Sequence, residues 1–367
     1  MLSRREKRYL NRMNERLAKK KEFLANYDSI ECVASFKNLF EAIKNASKNV
    51  TFKNSVQKTV LNSLEVCHET REKLLNYKNI HDKFIEFYLK ERGKIRWIRA
   101  VKFKERIVQK SLCTNILYPV YTHYIIDKNT ASQKGKGPSY LLKKLEKDLR
   151  DHYNKYGKNS YILLIDYKDY FGSINHKKLK EICREYFTDK KLLKLLDEFI
   201  DAFGTQGIGL GSESSQMHGI FYLNKIDHFI TDKLGYKYGR YMDDSYVLNN
   251  DKNKLKELIR ILQDKLNDYN IKINMKKTHI ANISNAILYL KTRFFILKSG
   301  KILKLPVRKN ISKERIKLKK QYKLFKKGIL NTFEIYRSYI SWRGSLLYKN
   351  CHKTILKTDQ LYKGLFS

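Results

Sequence analysis

The sequence predicts an α+β fold in which an antiparallel sheet carries acidic residues and helices pack behind it. Residues 161–165, "YILLI", form an apolar run followed at once by Asp166, as expected of a buried strand that ends in a carboxylate. Residues 236–250, "YKYGRYMDDSYVLNN", predict a β-hairpin with Asp243 and Asp244 at its tip. Much of the remaining chain repeats apolar residues at helical spacing.

The segment before residue 90 is predicted to be helical. Over residues 1–30, apolar residues recur among many bases, at Leu10, Met13, Leu17 and Leu24. This pattern is typical both of a solvated basic helix and of a helix laid along a phosphate backbone, and both interpretations stay open. Two or three further helices are predicted over 36–90, within 36–46 and 55–76; in the second segment, Leu61, Leu64 and Val66 would mark the apolar face.

The middle and the end of the chain alternate between strand and helix patterns. Gly93 separates two strand-like pieces, and a basic loop with Gly135, Gly137 and Pro138 precedes an amphipathic helix. After the acidic hairpin we expect a helix, an edge strand and a second hairpin that turns at Ser299-Gly300, in the segments 252–270, 271–283 and 286–306. From residue 308 the chain is predicted to be helical and very basic.

Composition points to a polyanionic partner. Lys and Arg number 77 against 37 Asp and Glu, a formal net charge of +40 over 367 residues, and such an excess favours binding to nucleic acid. The alternatives are ribosome-like binding and binding to a membrane surface. The five cysteines lack metal-site spacing and are expected to be reduced thiols, and no apolar run approaches the ~20 residues of a membrane span. We therefore expect a cytoplasmic protein with no membrane partner.

The acids predict a metal site. If the strand ending in Asp166 neighbours the hairpin, then its carboxylate converges with those of Asp243 and Asp244. Mutual repulsion would raise their pKa values unless cations occupied the site. Two Mg²⁺ ions about 3.5–4 Å apart would supply that charge and serve an in-line phosphoryl displacement, and Mn²⁺ is the alternative ion.

Five segments in order make the chain resemble a reverse transcriptase. They are "LLIDYKDYF" (163–171), "QGIGLGSESSQ" (206–216), "YMDD" (241–244), "NMKKTHI" (274–280) and "LYLKTRFFI" (288–296), which are similar to motifs A to E of that family. The resemblance implies a right-hand polymerase, with a basic helical extension and the start of the fingers at 1–90, fingers at 91–160, an interleaved palm at 161–305 and a helical thumb at 306–367. Trp342 in the thumb is either a core residue or a nucleic-acid contact.

The resemblance also implies roles for single residues. Asp166 and Asp243 would be the ligands that bridge the metal ions, with Asp244 close by as a third catalytic acid and metal ligand. Lys277, or its neighbour Lys276, would protonate the pyrophosphate leaving group, unless these lysines only bind phosphate. A second set would contact nucleotide and nucleic acid: Arg96, Arg106, Phe171 and Gln216 the incoming dNTP, and Lys94, Gly211, Ser215, Lys291 and Arg293 the template–primer. For Phe171 the implied task is to exclude a 2′-hydroxyl, and a plain core position is its alternative.

Within the family, "SQKGKGPSYLL" (132–142), "GSESSQ" (211–216) and "RYMDD" (240–244) resemble the bacterial reverse transcriptases of diversity-generating retroelements and of phage defence. The expected function is synthesis of cDNA from a dedicated structured noncoding RNA, in defence, with a DNA primer or product and dNTPs as partners and a homo-oligomer left open. Because the sequence ends with the expected thumb at residue 367, we expect no ribonuclease H, integrase or homing endonuclease domain. Two alternatives remain, a retroelement enzyme of the diversity-generating or another domesticated kind and a catalytically idle RNA-binding protein.

Overall fold

A computed structural model describes residues 4–91 and 94–366, without the side chains of residues 4–10, 91, 94 and 96. By contact clustering the chain divides into two compact units that are interleaved along the sequence. Unit 1 comprises Met1–Asp127, Tyr167–Lys233 and Ile261–Ile273, and unit 2 comprises Lys128–Asp166, Leu234–Arg260 and Asn274–Ser367. The predicted boundaries at 90, 160 and 305 stay a prediction.

The helices and strands follow in chain order. The helices are α1 Arg4–Ala25, α2 Glu31–Ala34, α3 Phe36–Ala46, α4 Asn54–Leu61, α5 Ser63–Leu75, α6 Phe103–Leu112, α7 Tyr118–Tyr124, α8 Pro138–Tyr156, α9 Tyr170–Ser173, α10 His176–Arg184, α11 Lys190–Asp201, α12 Glu213–Phe221, α13 Asn224–His228, α14 Lys252–Asn267, α15 Arg308–Lys326, α16 Thr332–Gly344 and α17 His352–Phe366. The strands are β1 Ile85–Glu91, β2 Lys94–Ala100, β3 Tyr161–Lys168, β4 Lys237–Tyr241, β5 Asp244–Asn249, β6 Lys272–Ile273, β7 His279–Asn282, β8 Ile287–Tyr289, β9 Thr292–Ile296 and β10 Ile302–Pro306. This mixture of helices and antiparallel sheets confirms the predicted α+β class.

Unit 1 is largely helical. Buried residues of α3, α5 and α6 form one of its cores, with Leu39, Ile43, Val66 and Ile107 among them. The strands β1 and β2 pair as an antiparallel ribbon, which confirms the two predicted strands, while the predicted turn residue Gly93 lies outside the described residues. Of the two or three helices predicted over 36–90, the structure forms three, and the segment 55–76 holds two of them because Asn62 leaves the helical conformation at φ −98° and ψ 33°.

This interruption overturns one expectation about the apolar face of that segment. Val66 is buried, but Leu61 and Leu64 are 83% and 72% exposed. Leu64 and Val66 both lie in α5 but are two residues apart, so they project from nearly opposite faces of that helix, and Leu61 belongs to the separate helix α4.

Unit 2 contains the sheet that carries the acids. Within it β5 pairs antiparallel with both β4 and β3, and β7 pairs with the other edge of β3. Leu141, Leu145 and Leu149 of α8 pack against the sheet through Ile162 and Tyr246. The end of β3 belongs to unit 1, where Tyr167 and Lys168 pair with β6. The strand β3 is thus buried in the sheet with α8 packed against it, as the apolar run at 161–165 predicted.

The last part of unit 2 is a second sheet followed by three helices. Strands β8, β9 and β10 form an antiparallel sheet whose second turn, at 297–301, includes the predicted Ser299-Gly300. Trp342 of α16 is partly buried against Leu346, Cys351 and Ile355, which confirms a packing position for this ring. No helix in the described part of the chain is long and apolar enough to cross a membrane.

Candidate active site

The antiparallel register of unit 2 brings the three predicted carboxylates together. Asp166 is the last residue of β3 to pair with β5, and its partner there is Asp244. Asp244 is also paired with Tyr241 across the hairpin, so Met242 and Asp243 form a two-residue turn between β4 and β5. The acids therefore lie at one end of the sheet, on two neighbouring strands and the turn that joins one of them to β4.

The turn that carries Asp243 has an uncommon backbone. Met242 has a φ of +55°, in the left-handed region that non-glycine residues seldom adopt. A positive φ at the first central residue of a two-residue hairpin is typical of a type II′ turn, where glycine is usual. Residues held in such conformations occur often at active sites, since the surrounding structure must impose them.

Asp166 is held from several sides. Its carboxylate accepts a hydrogen bond from Asn274 Nδ2 at 2.8 Å and two from Lys277 Nζ at 2.9 and 3.0 Å. Its backbone N–H donates to Thr278 Oγ1 at 3.2 Å, and its carbonyl accepts from the Asn274 N–H at 2.8 Å. The loop between β6 and β7 thus fixes the orientation of this carboxylate.

Electrostatic repulsion among the acids is visible at Asp244. Burial, followed by the nearby charges of Asp243 and Asp166, raises the pKa of its carboxyl to about 6, against an opposing effect of Lys277. The pKa of Lys277 is in turn raised, first by its hydrogen bond to Asp166. Both lysines of the pair 276–277 are exposed, and Lys277 is the one that contacts Asp166.

This donor set fits divalent metal ions. Within residues 4–91 and 94–366, no three His, Cys, Asp or Glu side chains stand together as a ready metal cage. Mg²⁺ does not require one, because it is usually bound by one or two carboxylates together with substrate phosphates and water. Carboxylates are hard oxygen ligands suited to such ions, and burial together with the charges of Asp243 and Asp166 raises the pKa of Asp244 when no cation is present. Asp166 and Asp243, with Asp244, would hold them.

Phe171 of unit 1 packs on a glycine of the helix α12. A methyl group added at Gly219 would lie 3.0 Å from the Phe171 ring, so glycine allows the ring this close to the helix backbone. The neighbouring Tyr170 is buried and donates its hydroxyl hydrogen bond to the Gly219 carbonyl at 2.6 Å. Phe171 itself is only half-buried, which leaves part of the ring open for a contact.

The loop before α12 is tightly fixed in unit 1. Gly211 has a φ of +112°, and a Cβ there would lie 3.1 Å from the Arg99 carbonyl. Ser212 caps the helix by accepting from the Ser215 N–H. Ser215 is 2% exposed, which favours a role in holding the helix over a direct contact with nucleic acid, whereas Gln216 is exposed.

The predicted basic contacts are spread over both units. Arg106 is an exposed residue of α6, and Lys94 and Arg96 belong to β2, with side chains outside the described residues. In unit 2, Lys291 is exposed in the β8–β9 turn, where it and Leu290 have φ values of 60° and 42°. The Arg293 guanidinium lies over the Phe295 ring at 4.8 Å.

A comparison with protein families shows to which family the chain with these three acids belongs. The family model described as reverse transcriptase (RNA-dependent DNA polymerase) matches residues 88–306, which include every one of the motifs above. The chain belongs to the reverse transcriptase family. The matched domain is that of an RNA-directed DNA polymerase, a nucleotidyltransferase, and such domains generally use divalent metal ions. The predicted right-hand polymerase fold is thereby confirmed.

Solved structures show a more distant similarity to this reverse transcriptase. An apo telomerase from Candida tropicalis, truncated from its C-terminal domain, matches at 16% identity and a TM-score of 0.46, over 61% of this chain and 55% of that one. A telomerase from Candida albicans in complex with a TWJ fragment of telomeric RNA matches at 14% identity and 0.49, over 83% and 59%. The chain thus spans little more than half the length of these proteins. A search of curated proteins finds no match.

Several residues at the site of the reverse transcriptase were not predicted from the sequence. Asn274 and Thr278 orient Asp166, and their polar side chains within "NMKKTHI" were the available signal. Tyr289 donates its hydroxyl hydrogen bond to the Asp244 carbonyl at 3.0 Å, and Arg240 donates from Nη1 to the Met242 carbonyl at 3.1 Å. Nothing in the sequence distinguished Arg240 from the many exposed bases of this chain.

Proposed function

We propose that this chain is a reverse transcriptase that copies a dedicated, structured noncoding RNA into DNA by two-metal-ion nucleotidyl transfer. The observation that carries the proposal is the register that places Asp166 opposite Asp244, with Asp243 in the adjoining turn, inside a reverse transcriptase domain. Mg²⁺ is the proposed ion, with two per site and Mn²⁺ as a substitute. The template RNA, a DNA primer or product and dNTPs are the proposed partners, in the cytoplasm.

Each proposed residue has a chemical task. Two bound Mg²⁺ ions would stabilise charge on the attacking and leaving oxygens of the displacement at phosphorus. Asp166 and Asp243 would hold the ions, Asn274 keeps the Asp166 carboxylate oriented, and the ammonium of Lys277 would give its proton to the leaving pyrophosphate. The hydrogen bond to Asp166 and the charges of the acids raise the pKa of Lys277. Lys277 would therefore keep its proton until nucleotide binds.

Residues outside the acid group would bind the substrates. Arg96 and Arg106 would bind the triphosphate, since guanidinium groups neutralise phosphoryl charge. Phe171 would exclude a ribose 2′-hydroxyl by its bulk, and Gln216 would contact the incoming nucleotide. The template–primer would be bound by Lys94, Gly211, Lys291 and Arg293, while the buried Ser215 would act only by holding the start of α12. Whether copies of the chain assemble is left to measurement of mass in solution.

The proposed biological role is defence against phage. It rests on the resemblance of the segments at 132–142, 211–216 and 240–244 to bacterial reverse transcriptases of defence and of diversity-generating retroelements. A host carrying the locus with Asp243→Asn should lose resistance to phage if the role is defence. Unchanged resistance would move the role to a diversity-generating or another domesticated retroelement.

The biochemical test is to purify the protein with its native locus and to sequence the nucleic acid bound to it, before and after dNTPs and Mg²⁺ are added. One abundant structured RNA, with complementary DNA that appears for wild type and not for Asp243→Asn, would support the proposal. Asp151→Asn is the matched control, since Asp151 is an exposed acid of α8 and should leave synthesis intact. DNA unrelated to any RNA present would indicate untemplated synthesis, and RNA without DNA would indicate an idle RNA-binding protein.

A further inference from the structure

Arg240 is a buried charge directly behind the turn that carries Asp243. Among the side chains that the structure describes it is the largest that is fully buried, with 0% exposure, and it lies at the penultimate position of β4. Its guanidinium donates from Nη1 to the carbonyl oxygen of Met242 at 3.1 Å. A guanidinium stays protonated in proteins, so burying it is costly unless its N–H groups find acceptors. The carbonyl of the turn is one such acceptor.

Tyr289 holds the other side of the same turn. This residue ends β8, is 4% exposed, and donates its hydroxyl hydrogen bond to the Asp244 carbonyl at 3.0 Å. Its ring meets that of Tyr246 edge to face, with centroids 5.5 Å apart and planes at 82°. Because the ring is packed in this way, the position of its hydroxyl is fixed by the core of unit 2 and not by solvent.

The two hydrogen bonds have a joint geometric consequence. The Met242 carbonyl belongs to the peptide that precedes Asp243, and the Asp244 carbonyl belongs to the second peptide after it. Peptides are planar, so fixing these two carbonyls limits the rotations that set the direction of the Asp243 side chain. They also oppose relaxation of Met242 from its left-handed φ of +55°, a conformation that L-residues otherwise disfavour.

We propose that Arg240 and Tyr289 are positioning residues that clamp the turn Tyr241–Asp244 and preorganise the Asp243 carboxylate to bind a divalent cation. The catalytic part of this inference rests on the proposed function, but the cation-binding part does not. Supporting groups that lock a ligand before the metal arrives raise affinity, because less freedom is lost on binding. Neither residue touches the substrate in this account, and both act through the backbone of the turn.

Unit 2 provides a matched control for the loss of a buried hydroxyl. Tyr246 is 0% exposed and packs on Tyr289, but its hydroxyl donates to Asp148 at 2.8 Å and not to the turn. Tyr246→Phe and Tyr289→Phe each remove one oxygen from the same core cluster. A purely structural role predicts the same outcome for both variants, whereas the clamp predicts different ones.

The test measures Mn²⁺ binding by the electron paramagnetic resonance signal of free Mn²⁺, with full-length protein and no nucleotide. We expect Tyr289→Phe to weaken Mn²⁺ binding about fivefold, the effect of one lost neutral hydrogen bond, and Tyr246→Phe to leave it unchanged. Arg240→Met should weaken binding by about 10- to 100-fold, as expected for a charged donor, with partial rescue in Arg240→Lys. Asp243→Ala gives the Mn²⁺ binding that remains when the site is lost.

DNA synthesis provides the second readout. In Tyr289→Phe the Mg²⁺ concentration for half-maximal synthesis should rise by about the same fivefold factor, with KM for dNTP unchanged at saturating Mg²⁺. Wild-type Mn²⁺ affinity in Tyr289→Phe, or equal losses in Tyr289→Phe and Tyr246→Phe, would overturn the clamp, even if Arg240→Met does not fold. Mn²⁺ binding that follows the expected order in a protein that makes no DNA would support the clamp and contradict the proposed function.

Discussion

Two groups of acids in unit 2 differ in what balances their charge. Asp148 of α8 is 2% exposed, and its carboxylate accepts from Lys128 Nζ at 2.6 and 2.8 Å and from the Tyr246 hydroxyl at 2.8 Å. The second group is Asp166, Asp243 and Asp244. There burial, together with the repulsion between carboxylates, outweighs the attraction of Lys277 and leaves the pKa of Asp244 raised to about 6.

The difference separates a structural acid from a functional one. A buried carboxylate with its own ammonium and hydroxyl partner completes its interactions inside the fold, and removing it leaves a cation unpaired. Carboxylates that the fold keeps together against their repulsion gain most from a cation that comes from outside. We therefore expect substitutions at Asp148 to change the free energy of unfolding. Substitutions at Asp166, Asp243 or Asp244 should instead change catalysis and metal binding.

The largest effect should follow from Asp166→Asn. The amide keeps the shape of the carboxylate but removes its charge, so we expect DNA synthesis to fall by about 10³-fold or more, a loss on the scale reported for removal of a key electrostatic group. The free energy of unfolding should change little or rise, since one repulsive charge is gone. Primer extension beside urea unfolding checks both, and residual synthesis within tenfold of wild type would contradict the assignment of Asp166.

Asp148→Ala should instead destabilise the protein. It leaves Lys128 and the Tyr246 hydroxyl without their partner, and breaking a buried pair in this way typically costs about 3–5 kcal/mol. Urea unfolding followed by circular dichroism measures the loss. The comparison between the two acid groups would be wrong if Asp148→Ala unfolded like wild type and yet made no DNA.

Lys277→Ala should lower the rate of synthesis by about 10²-fold, the range expected for loss of a general acid. Lys276→Ala is the matched control. Its side chain is exposed next to Lys277, and we expect its rate to stay within about threefold of wild type, since one surface charge contributes little. Single-turnover extension separates the chemical step from product release. Equal losses in both variants would favour phosphate binding over proton transfer.

The smallest effect concerns stability with and without metal. A ligand that binds the native state alone adds about 1.4 kcal/mol of stability at ten times its Kd. Mg²⁺ should therefore raise the unfolding temperature of wild type and of Asp148→Asn, and EDTA should reverse the rise. Asp243→Asn should show no rise. Equal stabilisation of all three proteins would place the metal elsewhere.

The order of the motifs allowed the sequence to predict the acids and their convergence. An apolar run that ends in an acid predicts a buried strand, and a Tyr-Met-Asp-Asp hairpin predicts a turn, so Asp166 and the hairpin acids could be named before the structure was known. The strand pairing that joins them depends on contacts between distant segments. The family resemblance supplied that pairing, and periodicity did not.

Other features depended on tertiary contacts and were not predicted. Asp148 follows Leu141 and Leu145 on the apolar face of α8, a spacing that could have indicated burial, but the charged neighbours in "KLEKDLRDH" favour a solvated face. Arg240 is one base among 77 Lys and Arg residues, and only packing distinguishes it. The break at Asn62 is likewise invisible to hydrophobic spacing.

The most direct test measures the rate of DNA synthesis per folded molecule for Asp243→Asn and Asp148→Asn side by side, on an RNA template with a DNA primer and saturating Mg²⁺. The account predicts no detectable product from Asp243→Asn at wild-type stability. It predicts that folded Asp148→Asn, although less stable, makes DNA within about threefold of wild type, because its substitution leaves the metal ligands unchanged. Synthesis by Asp243→Asn, or its equal loss in both variants, would contradict the central claim.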